Sequence, residues 1–488
     1  MLFLRIYLWA GARFGGALRK IRKAALQASA AVGTGLTLAV VAGVARAQAA
    51  GQLDESPCAR YAANFNAMED EPVVNAISNA EAAAWMASQI PLLDVPAKSL
   101  EETYYYRWWS FRKHIKRTPQ GRVITEFITP VSHAGKYNTI ACAVGHHIAE
   151  ATWLRDQTLL DEYVRFWFRG GDEGGSVAHF HKFSSWIPAA LYQRSLATGD
   201  EQFPLELLDD LVADYRRWED ERKLPSGLFW QHDVKDGMEE SISGGRRVKN
   251  VRPTINSYMA ANARAIADFA QAAGRDELAR EFGDLGDSLR RQMVDRLWDA
   301  DAGFFKVRLE DGSFSDCREA IGFIPWMFDL ADEEQSVAWR QVTDRGGFWA
   351  PRGLTTAERR DPRFRSHGTG TCEWDGAVWP FATSQTLTGL ARHLQQVDEP
   401  AVPRRTFFDQ LLTYADAHQR DGKRYLGEYH DEITGAWLIP EPKAQRSRYY
   451  NHSTFADLVI RGLAGLQPQV DESFVVDPLV PAGAWHWF

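Results

Sequence analysis

Residues 253–297 read PTINSYMAANARAIADFAQAAGRDELAREFGDLGDSLRRQMVDRL. Two helices are written in that stretch. From 253 to 273, Ile255, Tyr258, Met259, Ala263, Ile266 and Phe269 recur at the spacing of one helical face, and the same period resumes over 276–297 with Leu278, Phe282, Leu285, Leu289 and Met293. Pro253 stands at the first turn, where its missing N–H leaves nothing unsatisfied. Only Gly274 and Arg275 separate the two runs, so they must fold back on each other as a hairpin. The chain entering the hairpin is different: residues 224–252 form a long connection rich in Gly, Trp, His, Asp and Glu. A loop of that length inside a compact domain is usually functional.

The asymmetry repeats along the chain. Further helix-length amphipathic runs fall at 79–89, 100–115, 139–155, 180–196, 204–223, 380–396, 405–419 and 451–466. Long decorated connections fall at 346–373 and 422–450. Strand signals are few, with 123–128 and 304–307 the best. Helix pairs with short turns on one side and long loops on the other describe an all-α (α/α)6 toroid with little β structure, whose loops gather at one mouth.

The chain has 488 residues, 45% of them hydrophobic, enough for one large core. Its formal net charge of -8 gives no electrostatic reason for a nucleic-acid partner. The leader is read as residues 1–49. Arg19, Lys20, Arg22 and Lys23 precede an apolar run over 24–44, and small-residue cleavage patterns end at Ala47 or Ala49. The apolar run is nearly long enough for an anchor, but its Ser, Thr and Gly content and the cleavage pattern favour a signal peptide. A periplasmic or secreted protein with no stable membrane insertion after cleavage is therefore expected. The catalytic domain is expected over 50–470. Residues 471–488, ending Trp-His-Trp-Phe, form an extended tail that either packs back on the toroid or opens a β-rich segment. The four cysteines, Cys58, Cys142, Cys317 and Cys372, show no CxxC spacing. No metal site or cofactor is expected from them, while export permits a disulfide of undetermined pairing.

Three loop segments carry candidate chemistry. The first runs from Ser226-Gly227-Leu228-Phe229-Trp230 to Asp236-Gly237-Met238-Glu239-Glu240-Ser241. The second is Cys372-Glu373-Trp374-Asp375-Gly376-Ala377-Val378-Trp379-Pro380. The third is Gly427-Glu428-Tyr429-His430-Asp431-Glu432-Ile433-Thr434-Gly435. Alone, the first also reads as a turn into a helix start and the third as a solvated hairpin. Together, in three long aromatic loops, they point to a carboxylate pair acting on sugar.

The third segment resembles the Glu-x-Tyr-x-x-x-Thr-Gly signature of the trehalase-like and processing α-glucosidase-like (α/α)6 hydrolases, which include the mannosylglycerate hydrolase-like enzymes; here Tyr429 stands one place closer to the Glu. The resemblance implies that Glu428 is the general base. The first segment is similar to the family's Ser-Gly-Met-Asp-Asn-Ser stretch, whose acidic residue is the general acid. That position is Glu239 when Gly237-Met238 and Ser241 are aligned, and Asp236 is the alternative. The second resembles the Trp-x-Gly-x-x-Trp-Pro stretch that lines the sugar site. The resemblance implies an inverting hydrolase acting on an oligo- or polysaccharide.

Trp230, Trp374 and Trp379 are candidates for stacking on sugar, with Tyr429 beside them. Asp375 binds a hydroxyl or caps the helix that begins near Pro380. Arg252 and Asn256 contact substrate or tie down the loop before them. In the run Tyr104–Trp109, Arg107 faces the cleft or the core. His146 and His147 lack a matching ligand at helical spacing and are expected to be structural. Rival readings are a polysaccharide lyase, whose products would absorb in the ultraviolet; a phosphorylase, which would need phosphate; and an inactive carbohydrate-binding protein, which would release no sugar.

Overall fold

The computed structural model describes residues 5–7, 56–368, 372–440 and 443–481. Within them, six inner helical elements surround an axis. In chain order they are Val144–Ala151, Ile187–Thr198, Pro253–Ala272, Ile324–Met327 with the 3-10 turn Ala320–Phe323 before it, Pro380–Gln396, and the π-wound Leu458–Leu463. Each inner element packs on the next. Outside them lie Lys98–Phe111, Thr158–Arg169, Leu208–Arg222, Asp276–Leu297, the 3-10 helix Glu333–Val342 and Arg405–Asp416. The result is the expected (α/α)6 toroid. Its β structure is confined to two-stranded antiparallel pairs.

Proline sets the start of four inner helices, at Pro188, Pro253, Pro325 and Pro380. All four lie in a first turn, where fixed φ assists the helix and no bond is lost. Because these starts point to one mouth, the loops that lead into them gather there. Packing at the axis is close. A Cβ on Gly145 would lie 2.0 Å from the Trp186 ring, so only glycine lets the first two inner helices meet. His146 sits between Trp186 and Phe381, at 4.8 and 4.6 Å from their centroids, and helps plug the axis. Beyond that plug, at the mouth away from the long loops, a cavity of about 230 Å³ opens among Ala149, Gln193, Ala265, Arg392 and Arg461.

The ring closes between its first and last inner elements. The Glu150 carboxylate accepts three backbone N–H groups, from Phe455, Ala456 and Asp457, each at 2.9 Å. The His147 ring binds the Asn451 carbonyl at 2.5 Å and the Tyr163 hydroxyl at 2.9 Å. Arg107 donates to the Ser453 carbonyl and to Tyr414, 3.9 Å from Glu150. It belongs to the core, not the cleft.

Several helix boundaries differ from the sequence reading. The run 180–196 is α-helical only from Ile187, after a 3-10 turn at Phe180–Lys182 that ends in extended backbone at Phe183 and a non-helical Trp186. Over 139–155 the α-helix occupies Val144–Ala151, after a 3-10 turn at Ala141–Ala143. Residues 451–455 are irregular, since their backbone groups serve His147, Arg107 and Glu150 instead of a helix. The strand expected over 123–128 pairs only as Gly121–Ile124, with Ile115–Thr118. Of the leader read over 1–49, only Arg5–Tyr7 is described, as a strand antiparallel to Leu92–Asp94; the basic and apolar segments and Trp485–Phe488 lie outside the described residues. In the tail, Phe474–Val476 pairs back on Leu466–Pro468. None of the four cysteines forms a disulfide.

Replacing Glu150 with Ala would leave three buried N–H groups without their acceptor and Arg107 without its carboxylate neighbour. The expected loss is about 3 kcal/mol or more, read as a lower midpoint in urea unfolding; an unchanged midpoint would place the ring closure elsewhere.

Candidate functional site

The first loop segment turns sharply between its two acids. The short helix Asp233–Asp236 ends at Gly237, which is left-handed at φ 75°, a conformation glycine adopts without a Cβ penalty. Met238 N–H then returns to the Asp233 carbonyl at 3.0 Å. The reversal sends Asp236 and Glu239 in different directions. Asp236 goes down, where it accepts Arg252 Nε at 2.7 Å and the Ser184 hydroxyl at 2.8 Å, with neither side chain of the ion pair exposed. Glu239 goes toward the mouth and stays partly exposed, its carbonyl accepting Trp374 N–H at 3.3 Å.

The third segment owes its Thr-Gly end to a turn. Asp431 Oδ1 accepts the N–H groups of Ile433 and Thr434 and the Thr434 hydroxyl, and left-handed Gly435 closes the bend. His430 exchanges both backbone bonds with Val378 at 3.0 Å, joining this segment to the second one. Glu428, two residues earlier, is thereby carried to the site. Its Oε2 accepts the Ser447 hydroxyl at 2.9 Å with Arg446 4.0 Å away, and its Oε1 lies 4.0 Å from the Cys372 thiol.

Electrostatics tie Glu239, Glu428 and Glu126 into one cluster. Burial, and then the charge of Glu428, push Glu239 up to about 7, against the pull of Arg246. Burial also raises Glu428, but Ser447, Arg446 and Lys443 all favour its ionised form. Glu126, after the strand Gly121–Ile124, is pushed up to about 8 by burial, with Glu428 and Glu239 adding to the rise and Tyr450 opposing it. Cys142 lies beneath Gly237, where a Cβ would stand 3.4 Å from its sulfur.

Much of the proposed sugar-binding set turns inward. Trp374, Trp379 and Tyr429 stack on one another, at 4.5 Å between the two indoles and 4.8 Å between Trp379 and Tyr429. All three are buried, so their faces support the floor of the site and are closed to a sugar. Trp230 is partly buried and has Arg222 and Lys249 over its ring at 4.5 and 4.7 Å. Asp375 accepts the His367 backbone N–H and ring Nδ1, both at 2.8 Å, and pins that loop; it presents no surface. Asn256 bonds the backbone N–H and carbonyl of Phe229 at 2.8 Å and, like Arg252, is wholly buried. These two residues tie down the preceding loop, the second of the roles open to them.

Residues 136–453 match the mannosylglycerate hydrolase MGH1-like glycoside hydrolase domain. The chain belongs to that family. A solved protein described as a sialidase is 48% identical, with a TM-score of 0.86; the match covers 89% of this chain and 40% of that one. This chain therefore spans well under half the length of that relative. A rhamnosidase from Bacillus sp. GL1, at 13% identity and a TM-score of 0.52 over 76% of this chain and 35% of that one, shares the fold.

For this glycoside hydrolase domain, the sequence reading singled out Glu239 and Glu428, took Cys142 and Cys372 only as thiols, and passed over Glu126, Ser447, Arg446 and Tyr450. The one signal for Glu126 was a lone acid in an otherwise β-branched and aromatic run, Val123-Ile124-Thr125-Glu126-Phe127-Ile128. Nothing in the spacing marks the others. The pairing of Asp236 with Arg252 predicts how its removal is felt. Asp236→Ala strands a buried guanidinium and is expected to lower stability by about 3–5 kcal/mol. Denaturant unfolding measures this; a variant as stable as the parent would show that the pair does not hold the loop.

Proposed function

We propose that this chain hydrolyses a glycosidic bond of an oligo- or polysaccharide with inversion, using Glu239 as general acid and Glu428 as general base. The observation that carries the reading is the opposite setting of two carboxyls in one site. Burial and a neighbouring negative charge favour the proton on Glu239. A hydroxyl donor and two cations favour the ionised form of Glu428. Two titratable groups whose surroundings push them apart are what acid and base roles require.

Glu239 gives its proton to the glycosidic oxygen as the bond from the anomeric carbon to that oxygen breaks. A water on the opposite face attacks the anomeric carbon and loses its proton to Glu428. The products are an alcohol and a sugar of inverted anomeric configuration, and the carboxyls have exchanged one proton overall. Such a pair needs room for the water, with carboxyls roughly 6.5–9.5 Å apart. Asp236 is the poorer acid because Arg252 and Ser184 already occupy its oxygens. The leader supports export to the periplasm or medium: a basic cluster at 19–23, an apolar run and a small-residue cleavage pattern. Amino-terminal sequencing of exported protein, beginning after Ala47 or Ala49, tests that part.

Glu239→Gln and Glu428→Gln are each expected to cut turnover by about 10²–10⁴-fold without unfolding the protein. Asp236→Asn acts on stability first and keeps more turnover than either. If Asp236→Asn is the most damaging acid-side change per folded molecule, the acid is misassigned. The pH profile should be bell-shaped. Activity falls as pH rises through about 7, where Glu239 loses the proton it must donate. It falls on the acid side at a pH above the ordinary carboxylate value of 4.5, where Glu428 gains one. The anomer first released, read by proton resonance, decides between inversion and retention.

A further inference from the structure

The acid–base pair accounts for two acids of the site and leaves its cations without a task. An arc of basic side chains runs from one catalytic carboxyl to the turn that carries the other. It starts at Arg446, whose guanidinium lies 4.0 Å from Glu428 Oε2 and 5.6 Å from the centre of the Phe127 ring. His133 meets the same ring edge-on at 6.0 Å, and its carbonyl accepts Lys182 Nζ at 3.0 Å. Lys182 and Lys235 then hold their ammonium groups over one ring, Phe183, each 5.8 Å from its centre. The Lys235 carbonyl accepts Ser184 N–H at 2.9 Å. Two residues on, left-handed Gly237 begins the reversal that sends Glu239 to the mouth.

Charge balance sets the two lysines apart from the other cations. Arg446 faces Glu428, and Arg246 pairs with Glu240 at 3.1 Å. Among the described residues neither Lys182 nor Lys235 forms an ion pair; Lys182 has a carbonyl and Lys235 the ring. Both are half-buried. Burial, and then the charges of Lys182 and Arg222, hold Lys235 below the usual lysine range, against the pull of Glu239. Glu239 does not neutralise it, because Glu239 keeps its own proton up to about pH 7. Like charges held together out of bulk water repel one another. An anion arriving from solvent relieves that repulsion and gains charge-assisted hydrogen bonds.

We propose that Lys182 and Lys235 bind a negatively charged sugar unit, bearing a carboxylate or a sulfate, so that the substrate class of this site is an acidic glycan. The inference rests on the hydrolase reading above and gives it a substrate. Lys235 shares a turn with the general acid, which protonates the leaving oxygen, so the charged unit belongs on the leaving-group side of the bond cleaved. A neutral glycan would leave both ammonium groups with only water and each other.

The test uses the full chain with two matched sets of substrates: uronate-containing oligosaccharides beside their carboxyl-reduced forms, and sulfated galactan oligosaccharides beside their desulfated forms. Released reducing ends are measured. Removing the anion is expected to lower kcat/KM by about tenfold or more, and the set in which this happens tells carboxylate from sulfate. Lys182→Gln and Lys235→Gln are each expected to raise KM for the charged substrate by about tenfold and to flatten its dependence on sodium chloride. Lys235→Arg, which keeps the charge, recovers most of that loss; damage to the fold would lower the melting temperature and would not follow charge. The proposal is overturned if the parent cleaves the neutral forms as fast as the charged ones, or if both Gln variants keep the parental KM and salt dependence. Products that absorb in the ultraviolet, or no cleavage at all, sink the hydrolase reading separately. Calorimetry with the same charged oligosaccharides then decides: weaker binding to Lys182→Gln and Lys235→Gln than to the parent upholds the site, and equal or absent binding ends it.

Discussion

The carboxylate of Glu150 holds the ring shut. Three backbone N–H groups, of Phe455, Ala456 and Asp457, would otherwise begin the last inner element unsatisfied, inside the protein, where each unmade bond is costly. One carboxylate from the first inner helix answers all three, across some three hundred residues of chain. Glu126 precedes that first helix and Glu428 precedes that last element. Without the closure, neither has a fixed relation to the other or to Glu239, which the middle of the chain supplies.

Once the ring is closed, local backbone chemistry aims the side chains. Left-handed Gly237 reverses the chain between two acids three residues apart, so one is consumed by Arg252 and the other reaches the mouth. The Asp431 turn and left-handed Gly435 bring the chain back along Val378 and set Glu428 in place. Below them, the stacked Trp374, Trp379 and Tyr429 form a stiff floor. Trp374, Trp379 and Tyr429 thus support the loops that carry the carboxyls, with their own faces taken by one another.

The electrostatic arrangement follows from the same burial. Desolvation raises all three carboxyls, and what separates them is company: Ser447, Arg446 and Lys443 around Glu428, and negative neighbours for both Glu239 and Glu126. A site in which every acid had its own cation would hold them all ionised and could donate no proton.

The sequence by itself determined the helical hairpins, the mouth at which the long loops gather, and the segments that carry the acids. These are local matters: 253–297 and 380–396 declare themselves through a 3.6-residue period and a proline at the first turn. Glu428 and Glu239 were legible because their loops keep a recognisable turn chemistry. Only the tertiary structure paired Asp236 with Arg252 while leaving Glu239 partly exposed, turned Arg252, Asn256 and Asp375 inward, and set Glu126 among acids from other loops. Those outcomes depend on which groups share a buried volume after the chain has closed. Spacing along the chain carries no record of that, because the partners of Asp236 and the neighbours of Glu126 come from distant segments that meet only in the ring.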